Sequence, residues 1–314
     1  MKKVLRSSLM AAILAVLAAC GNAPTTEVVQ SGRNTISMVD PLGNNIEVLE
    51  NAETIVSLAP AITQVLIDLG AADRIVVVDT WTAGQMDGFD QLPQLDMMAP
   101  DMETLLALAP ELVLAGEVSF GMDGDIFQPL MDAGIAVAQI PTSNSIQAIK
   151  EDVQFIADVV GLHDEGAMLL DDMQSAIDEI TSLTQDVEEP KRVLFEISPL
   201  PDIFSFGTGT FLNEMLELAG AVNVFSDQQG WLPVTEEAAV AANPDVILTN
   251  VDFLEDPVSE ILGRSGWTHV AAIENGAVHY VDNGYTSLPN HRIVNGLREM
   301  AKAIHPETFQ SLGE

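Results

Sequence analysis

Two glutamates sit in matching contexts in the two halves of the chain. Glu103 opens Glu103-Thr-Leu-Leu-Ala-Leu-Ala-Pro110-Glu-Leu-Val-Leu114, and Glu237 opens Glu237-Ala-Ala-Val-Ala-Ala-Asn-Pro244-Asp-Val-Ile-Leu248. Each lies seven residues before a proline and two after a potential helix cap, Asp101 or Thr235. A carboxylate so placed suits the positive end of a helix. It is also a strong, directional partner for an arginine. Patterns for catalysis or metal binding are missing. The five histidines show no ligand spacing, and H-E-x-x-H and Walker A motifs are absent. Ser57 and Ser205 lack a G-x-S-x-G context. Cys20 is the sole cysteine, which rules out an internal disulfide and Cys-ligated zinc or iron–sulfur centres. Asp171-Asp172 reads as the solvated face of a helix.

The elements that carry these residues repeat. Residues 35–49 read as a hairpin around Asp40-Pro41-Leu42-Gly43-Asn44. Residues 54–58 form a strand, 61–69 a helix with Pro60 in its first turn and Gly70 at its end, and 74–78 a second strand. This βαβ pattern favours a parallel sheet. Residues 79–98 and 116–125 read as irregular loops leaving strand ends, where Trp81 is placed to stack on a ligand. Between and after them come a helix capped by Asp101, a strand at 111–115, a helix at 127–133, a strand at 135–140 and a helix at 145–160. The second half begins with a strand at 192–197, a loop at 198–210 and a helix at 211–218. It closes with a helix start at 260–262, a strand at 276–281, a loop at 282–292 and a helix at 293–304. Residues 162–187 join the halves. Leu169, Met173, Ile177, Ile180 and Leu183 recur there at helical spacing, with one glycine, Gly166, and no proline. The expected fold is α/β: two similar lobes, each a mainly parallel sheet flanked by helices, joined by one long spanning helix.

Lys2, Lys3 and Arg6 precede an apolar run over residues 9–17 and then Ala18-Ala19-Cys20-Gly21. That is a signal peptide, too short for a permanent membrane span. Its removal leaves nine bases against 47 acids, a formal charge of −38. Such a field argues against nucleic acid and against unaided binding to an anionic membrane. The even spread of acids suits a folded protein with an acidic skin in a saline setting. The resulting division is signal peptide 1–19, Cys20 and tether 20–34, first lobe 35–161, linker helix 162–187 and second lobe 188–314.

The Leu-Ala-Ala-Cys-Gly run resembles a bacterial lipoprotein signal, which implies lipidation of Cys20 and an extracytoplasmic, membrane-tethered protein. Residues 54–78, 100–114, 206–225, 231–248 and 276–305 together resemble the substrate-binding lipoproteins of ABC importers, in the class serving iron–siderophore, haem and cobalamin uptake. The resemblance implies a binding protein and not an enzyme. It implies a stiff joining helix and docking of Glu103 and Glu237 onto permease arginines. The implied partners are an ABC permease dimer with its cytoplasmic ATPase and a small-molecule metal chelate, with the chain itself monomeric and no resident cofactor. The candidate cleft comprises Ser57, Leu58, Ala59, Pro60, Trp81, Met97, Met98, the loop 116–120 from Gly116 to Phe120, Pro199, Phe204, Trp231, Tyr285, His291 and Arg292. Trp231 matches a cleft tryptophan of cobalamin-binding relatives, but Met97 and Gly116 stand where those relatives carry further tryptophans. Tyr285 or His291 would supply an axial ligand if the cargo were haem. Arg292 is the only base in the candidate loops, which favours a neutral or weakly charged ferric chelate over ferric citrate. A cobalamin or haem carrier is the alternative within the class. A lipid-anchored two-lobed enzyme and an adhesion or sensor protein are the alternatives outside it.

Overall fold

The computed structural model describes residues 34–120, 126–185 and 187–309. The signal peptide, Cys20 and the tether up to residue 33 lie outside the described residues.

The first lobe begins with an antiparallel hairpin, β1 (Thr35–Val39) and β2 (Asn45–Leu49). Asp40 holds its turn by accepting the backbone N–H groups of Leu42 and Asn44. There follow β3 (Ile55–Leu58), α1 (Pro60–Asp68), β4 (Ile75–Asp79), α2 (Thr80–Gln85), β5 (Gln94–Leu95) and α3 (Met102–Leu108). The lobe is completed by β6 (Leu112–Gly116), α4 (Glu117–Phe120), α5 (Gln128–Asp132), β7 (Ala136–Ile140) and α6 (Ile146–Val159). Its sheet is parallel, in the order β5-β4-β3-β6-β7.

The long helix α7 (His163–Thr184) leads to the second lobe. That lobe comprises β8 (Lys191–Glu196), β9 (Phe204–Phe206), α8 (Phe211–Leu218), β10 (Ala221–Asn223), β11 (Trp231–Pro233), α9 (Glu236–Ala242) and β12 (Val246–Thr249). It continues through α10 (Pro257–Leu262), α11 (Ala271–Glu274), β13 (Val278–Tyr280), α12 (Asn283–Thr286), α13 (Ile293–Ile304) and α14 (Pro306–Phe309). Its parallel sheet runs β10-β8-β12-β13, beside a small antiparallel ribbon of β9 and β11. The chain is therefore α/β, two lobes each with a mainly parallel sheet flanked by helices and linked by one long helix.

The internal repeat extends to atomic detail. The orders β4-β3-β6-β7 and β10-β8-β12-β13 correspond strand for strand. Asp101 and Thr235 cap α3 and α9 with their side-chain oxygens. Both helices end on a left-handed residue, Ala109 at φ 45° and Asn243 at φ 43°. The acid after each proline then reaches across to the neighbouring strand's start. Glu111 Oε2 accepts the N–H of Glu53 at 2.7 Å, and Asp245 Oδ2 accepts that of Arg192 at 2.9 Å.

One core runs through both lobes. Ile55, Leu66 and Leu114 of the first lobe connect through Met173, Ile177 and Ile180 of α7 to Phe195, Leu248 and Leu297 of the second. Each such side chain contributes about 1.5–3 kcal/mol on burial, so the lobes are not independent beads on a linker. α7 packs on α6 and α13. Gly166 makes the first of these contacts close: a Cβ there would lie 2.4 Å from Ala157 Cβ. The lobes also meet directly. Ile146 N–H donates to Glu214 Oε2 at 2.7 Å, and Asn290 Nδ2 donates to Gln64 Oε1 at 2.6 Å.

Several sequence expectations need correction. The segments 79–98, 116–125 and 282–292 hold the short helices α2, α4 and α12, and 198–210 contains β9. Helices of four to six residues complete too few turns to show a period. The mark that could have revealed α2 is its cap: Asp79 Oδ1 accepts the N–H groups of Trp81 and Thr82, both at 2.9 Å. Residues 260–262 end a helix that Asp256 and Pro257 begin. Residues 121–125 lie outside the described residues.

Candidate ligand cleft

A cavity of about 340 Å³ opens between the lobes. Every segment that lines it from a sheet leaves a carboxyl edge of a parallel strand, where α/β folds bind ligands. Leu58 to Ile62 follow β3, Trp81 and Gln85 follow β4, Gly116 to Val118 follow β6, and Ile140 to Thr142 follow β7. Val153 and Ile156 of α6 form an apolar wall, with Asp152 beside them. The second lobe contributes Asn283, Ser287, Leu288 and Pro289, after β13.

Trp81 stands at the rim, 58% exposed, in the first turn of α2. Gly116 sits so near Ala59 that an added Cβ would lie 2.8 Å from the alanine Cβ. Glycine therefore lets β3 and β6 open into the cavity side by side, and no aromatic wall fits there without displacing Ala59. Two carboxylates mark the polar side. Glu117 Oε2 accepts the N–H of Thr142 at 2.9 Å, and Asp152 Oδ2 accepts the hydroxyl of Ser143. Burial pushes the Asp152 carboxyl up to about 6, against the Ser143 hydrogen bond and with the charge of Glu151 adding to the rise. Among the described residues no cluster of three or more His, Cys, Asp or Glu is placed to hold a metal ion.

Of the candidates, Leu58, Ala59, Pro60, Trp81, Met97 and Gly116 line the cavity. The others lie elsewhere. Ser57 is buried, its hydroxyl 2.8 Å from that of Thr63. Met98 is 71% exposed outside the cavity, and Phe120 turns into the outer core of the first lobe. Phe204 and Trp231 belong to the β9–β11 ribbon, where Trp231 packs edge-on against Phe206 and Phe211, and Pro199 lies in the turn that leads to it. Tyr285, His291 and Arg292 face a separate groove against α1 and α7. There Asp68 accepts from His291 Nε2 at 2.7 Å and from Arg292 Nε and Nη2 at 2.7 and 2.8 Å. His291 and Arg292 thus tie the second lobe to Asp68 of α1, and Tyr285 lines the same groove beside them.

Thr142, Asp152 and the 287–289 segment were missed. The strand-end rule applied to β3, β4 and β6 holds equally for β7 and would have reached Thr142. Asp152 gives no such signal, since it is one acid among many on a helix.

The described basic residues lie away from the cavity. Arg264, buried at 3% side-chain exposure, forms a bidentate pair with Glu196. Arg298 pairs with Glu179. Arg74, Lys191 and Arg192 donate to the carbonyls of Val160, Ile304 and Ala242, and Lys150 donates to Gln174. Lys302 lies in the last turn of α13.

Glu103 and Glu237 occupy the second position of α3 and α9, exposed in each lobe. α3 runs directly into β6, and α9 into β12, so both helix starts lie at the carboxyl edges of their sheets, on the cleft side. The adjacent Glu236 is different in kind: its Oε1 accepts Trp267 Nε1 at 3.0 Å.

Two lobes, a bracing helix and a cleft at the strand ends set the frame for comparison with known proteins. Residues 55–285 match the periplasmic binding protein family. The chain belongs to that family. It is 30% identical over 319 residues to an uncharacterised ABC transporter substrate-binding lipoprotein, YvrC, of Bacillus subtilis, covering 99% of this chain and 100% of that one. The structure of the periplasmic heme-binding protein RhuT from Roseiflexus sp. RS-1 superposes with a TM-score of 0.70 at 25% identity, covering 82% of this chain and 99% of that one. The molybdate-bound structure of MolA from Haemophilus influenzae gives 0.75 at 21% identity, covering 88% and 93%. These relatives are solute-binding components of transport systems, not enzymes. The periplasmic binding protein described here is accordingly an extracytoplasmic lipoprotein, homologous to the substrate-binding components of ABC importers.

Proposed function

We propose that this binding protein captures a metal chelate, of the iron–siderophore kind, in the cleft between its lobes and delivers it to an ABC permease. The observation that carries the reading is the cavity itself: apolar, rimmed by Trp81, and without a metal-holding cluster among the described residues. A chelate brings its own metal ligands and presents an organic surface, which Leu58, Pro60, Met97, Val118 and Val153 match. Haem or cobalamin would be the alternative cargo. Glu103 and Glu237 are proposed as the permease contacts. Exposed carboxylates on the cleft side of both lobes suit a two-armed docking onto arginines.

The test is binding of ferric siderophores, cobalamin and haem, read by quenching of tryptophan fluorescence, followed by reconstitution with the permease and ATPase. Saturable quenching that is lost in Trp81→Ala is expected for at least one chelate. Reversal of both glutamates to lysine is expected to leave that binding unchanged and to lower stimulated ATP hydrolysis at least tenfold. Failure of every chelate to bind would refute the ligand reading. Undiminished stimulation would refute the docking reading.

A further inference from the structure

The charges around the cavity point to a narrower class of ligand than its shape does. Glu117 and Asp152 are the charged residues of the lining, and both are acids. They are fixed on consecutive residues of one segment: Glu117 on the N–H of Thr142, Asp152 on the hydroxyl of Ser143. Each uses a single oxygen for this, so Glu117 Oε1 and Asp152 Oδ1 make no hydrogen bond among the described residues. No base balances them among the described residues. Arg292, the one base expected in the cleft, is bidentate on Asp68. The others are held by carboxylates, carbonyls or an amide elsewhere, or lie at the far end of α13.

An anionic ligand entering here would lose hydration, gain no counter-charge and meet two fixed carboxylates. A cation would meet the opposite. It would find two free carboxylate oxygens and the exposed face of Trp81, an aromatic ring suited to cation–π contact. We infer that the cleft selects chelates without net negative charge, and that Glu117 and Asp152 are its specificity determinants, holding a cationic or hydrogen-bond-donating group on the ligand. This rests on the chelate-binding reading above and adds the sign of the charge and the residues that read it.

The experiment uses one ferric trihydroxamate in three charge states. Ferrioxamine B carries a free ammonium, its N-acetyl derivative is neutral, and its N-succinyl derivative is anionic. Affinities are measured by fluorescence quenching at pH 7.5 and 0.15 M salt for the wild-type protein, Glu117→Gln, Asp152→Asn and the double variant, with cyanocobalamin, haem and molybdate alongside. The cationic form is expected to bind at least tenfold more tightly than the anionic one, with the neutral form between. Each single variant is expected to reduce that ratio about three- to tenfold, as befits one charge-assisted contact, and the double variant to abolish it. Folding of each variant is checked by its thermal midpoint. An anionic congener that binds as well as the cationic one overturns the charge assignment while leaving chelate binding intact. So does haem or molybdate binding more tightly than the uncharged ligands, or a preference that survives in the double variant. Binding of no chelate overturns this inference together with the reading beneath it.

Discussion

Replacing Gly166 by alanine should destabilise this protein, although the change improves the helix it sits in. Gly166 lies in the first turns of α7 with its backbone N–H on Leu162 O. A Cβ added there would lie 2.4 Å from Ala157 Cβ on α6 and 3.2 Å from Gln154 Nε2. The glutamine amide can swing away, but the alanine carbon is fixed to its helix. Carbons in contact sit about 3.5–4.0 Å apart, so α6 and α7 must part by roughly 1 Å. Overpacking of this kind costs about 1–3 kcal/mol, and the better helix propensity of alanine returns about 1 kcal/mol. The net expectation is a loss of up to about 2 kcal/mol, which lowers the thermal midpoint by about 2–4 °C per kcal/mol. Urea unfolding and calorimetry on Gly166→Ala, Ala157→Gly and the double variant measure this. The double variant removes the obstructing carbon, so a favourable coupling of about 1–2 kcal/mol is expected. Because α6 also carries Asp152, Val153 and Ile156 of the cleft, the single variant should weaken ligand binding as well. A Gly166→Ala protein more stable than the wild type, or a cycle with no coupling, would refute the argument that this contact sets the spacing of α6 and α7.

Two further outcomes follow from local geometry. Ala109 holds φ 45° and ψ 56° at the end of α3, a conformation that costs an L-residue about 1–2 kcal/mol. Ala109→Gly should relieve more strain than the flexible unfolded chain takes back, and raise the urea midpoint by about 0.5–1 kcal/mol of stability; a lowered midpoint would contradict this. The tie between Asp68 and the 291–292 pair should make the lobe contact acid-sensitive. Burial holds His291 below its ordinary value despite the hydrogen bond to Asp68, so it is neutral in the fold and must charge on unfolding as pH falls below about 6.5. Burial alone would raise Asp68, but the bonds from Arg292 and His291 outweigh it and hold the carboxyl low; its contribution is present above about pH 4 and lost as pH falls further. Both terms decline with acid. Asp68→Asn should cost about 1–2 kcal/mol at pH 7, given that Asp68 and Arg292 are part-exposed, and flatten the loss below pH 4. An unchanged stability–pH curve would count against this tie.

Periodicity and punctuation along the chain were enough to place α1, α6, α7, α8 and α13 within a few residues of their limits. The reason is length: these helices run through two or more turns with one apolar face, and Pro60, Ser145, Thr210, Gly70 and Gly161 mark their ends. The Glu-to-Pro repeat announced two lobes because the same local rules act twice, with a cap, a left-handed residue and an acid that reaches the next strand. Short helices escaped, since α2, α4 and α12 are too short to show a period, and of the three only α2 carries a side-chain cap.

The cleft divides in the same way. Residues at strand ends, Leu58 to Pro60, Trp81 and Gly116, were legible as cavity lining because the carboxyl edges of parallel sheets open onto such crevices. Residue chemistry alone did not show that Tyr285, His291 and Arg292 line a groove separate from the cavity. Nothing in their sequence neighbourhood shows that Asp68, more than two hundred residues earlier, takes up the imidazole and the guanidinium. Asp152 was hidden too, an ordinary acid in an acidic chain until α6 and the end of β7 bring it and Ser143 together beside the cavity, whereas Glu117 falls within the expected 116–120 loop. Sequence by itself therefore determined the lobes, the joining helix and the strand edges that line the cavity. The tertiary structure decided which charges face the cavity, because pairing between distant residues removes the bases from the cleft and leaves the carboxylates in it.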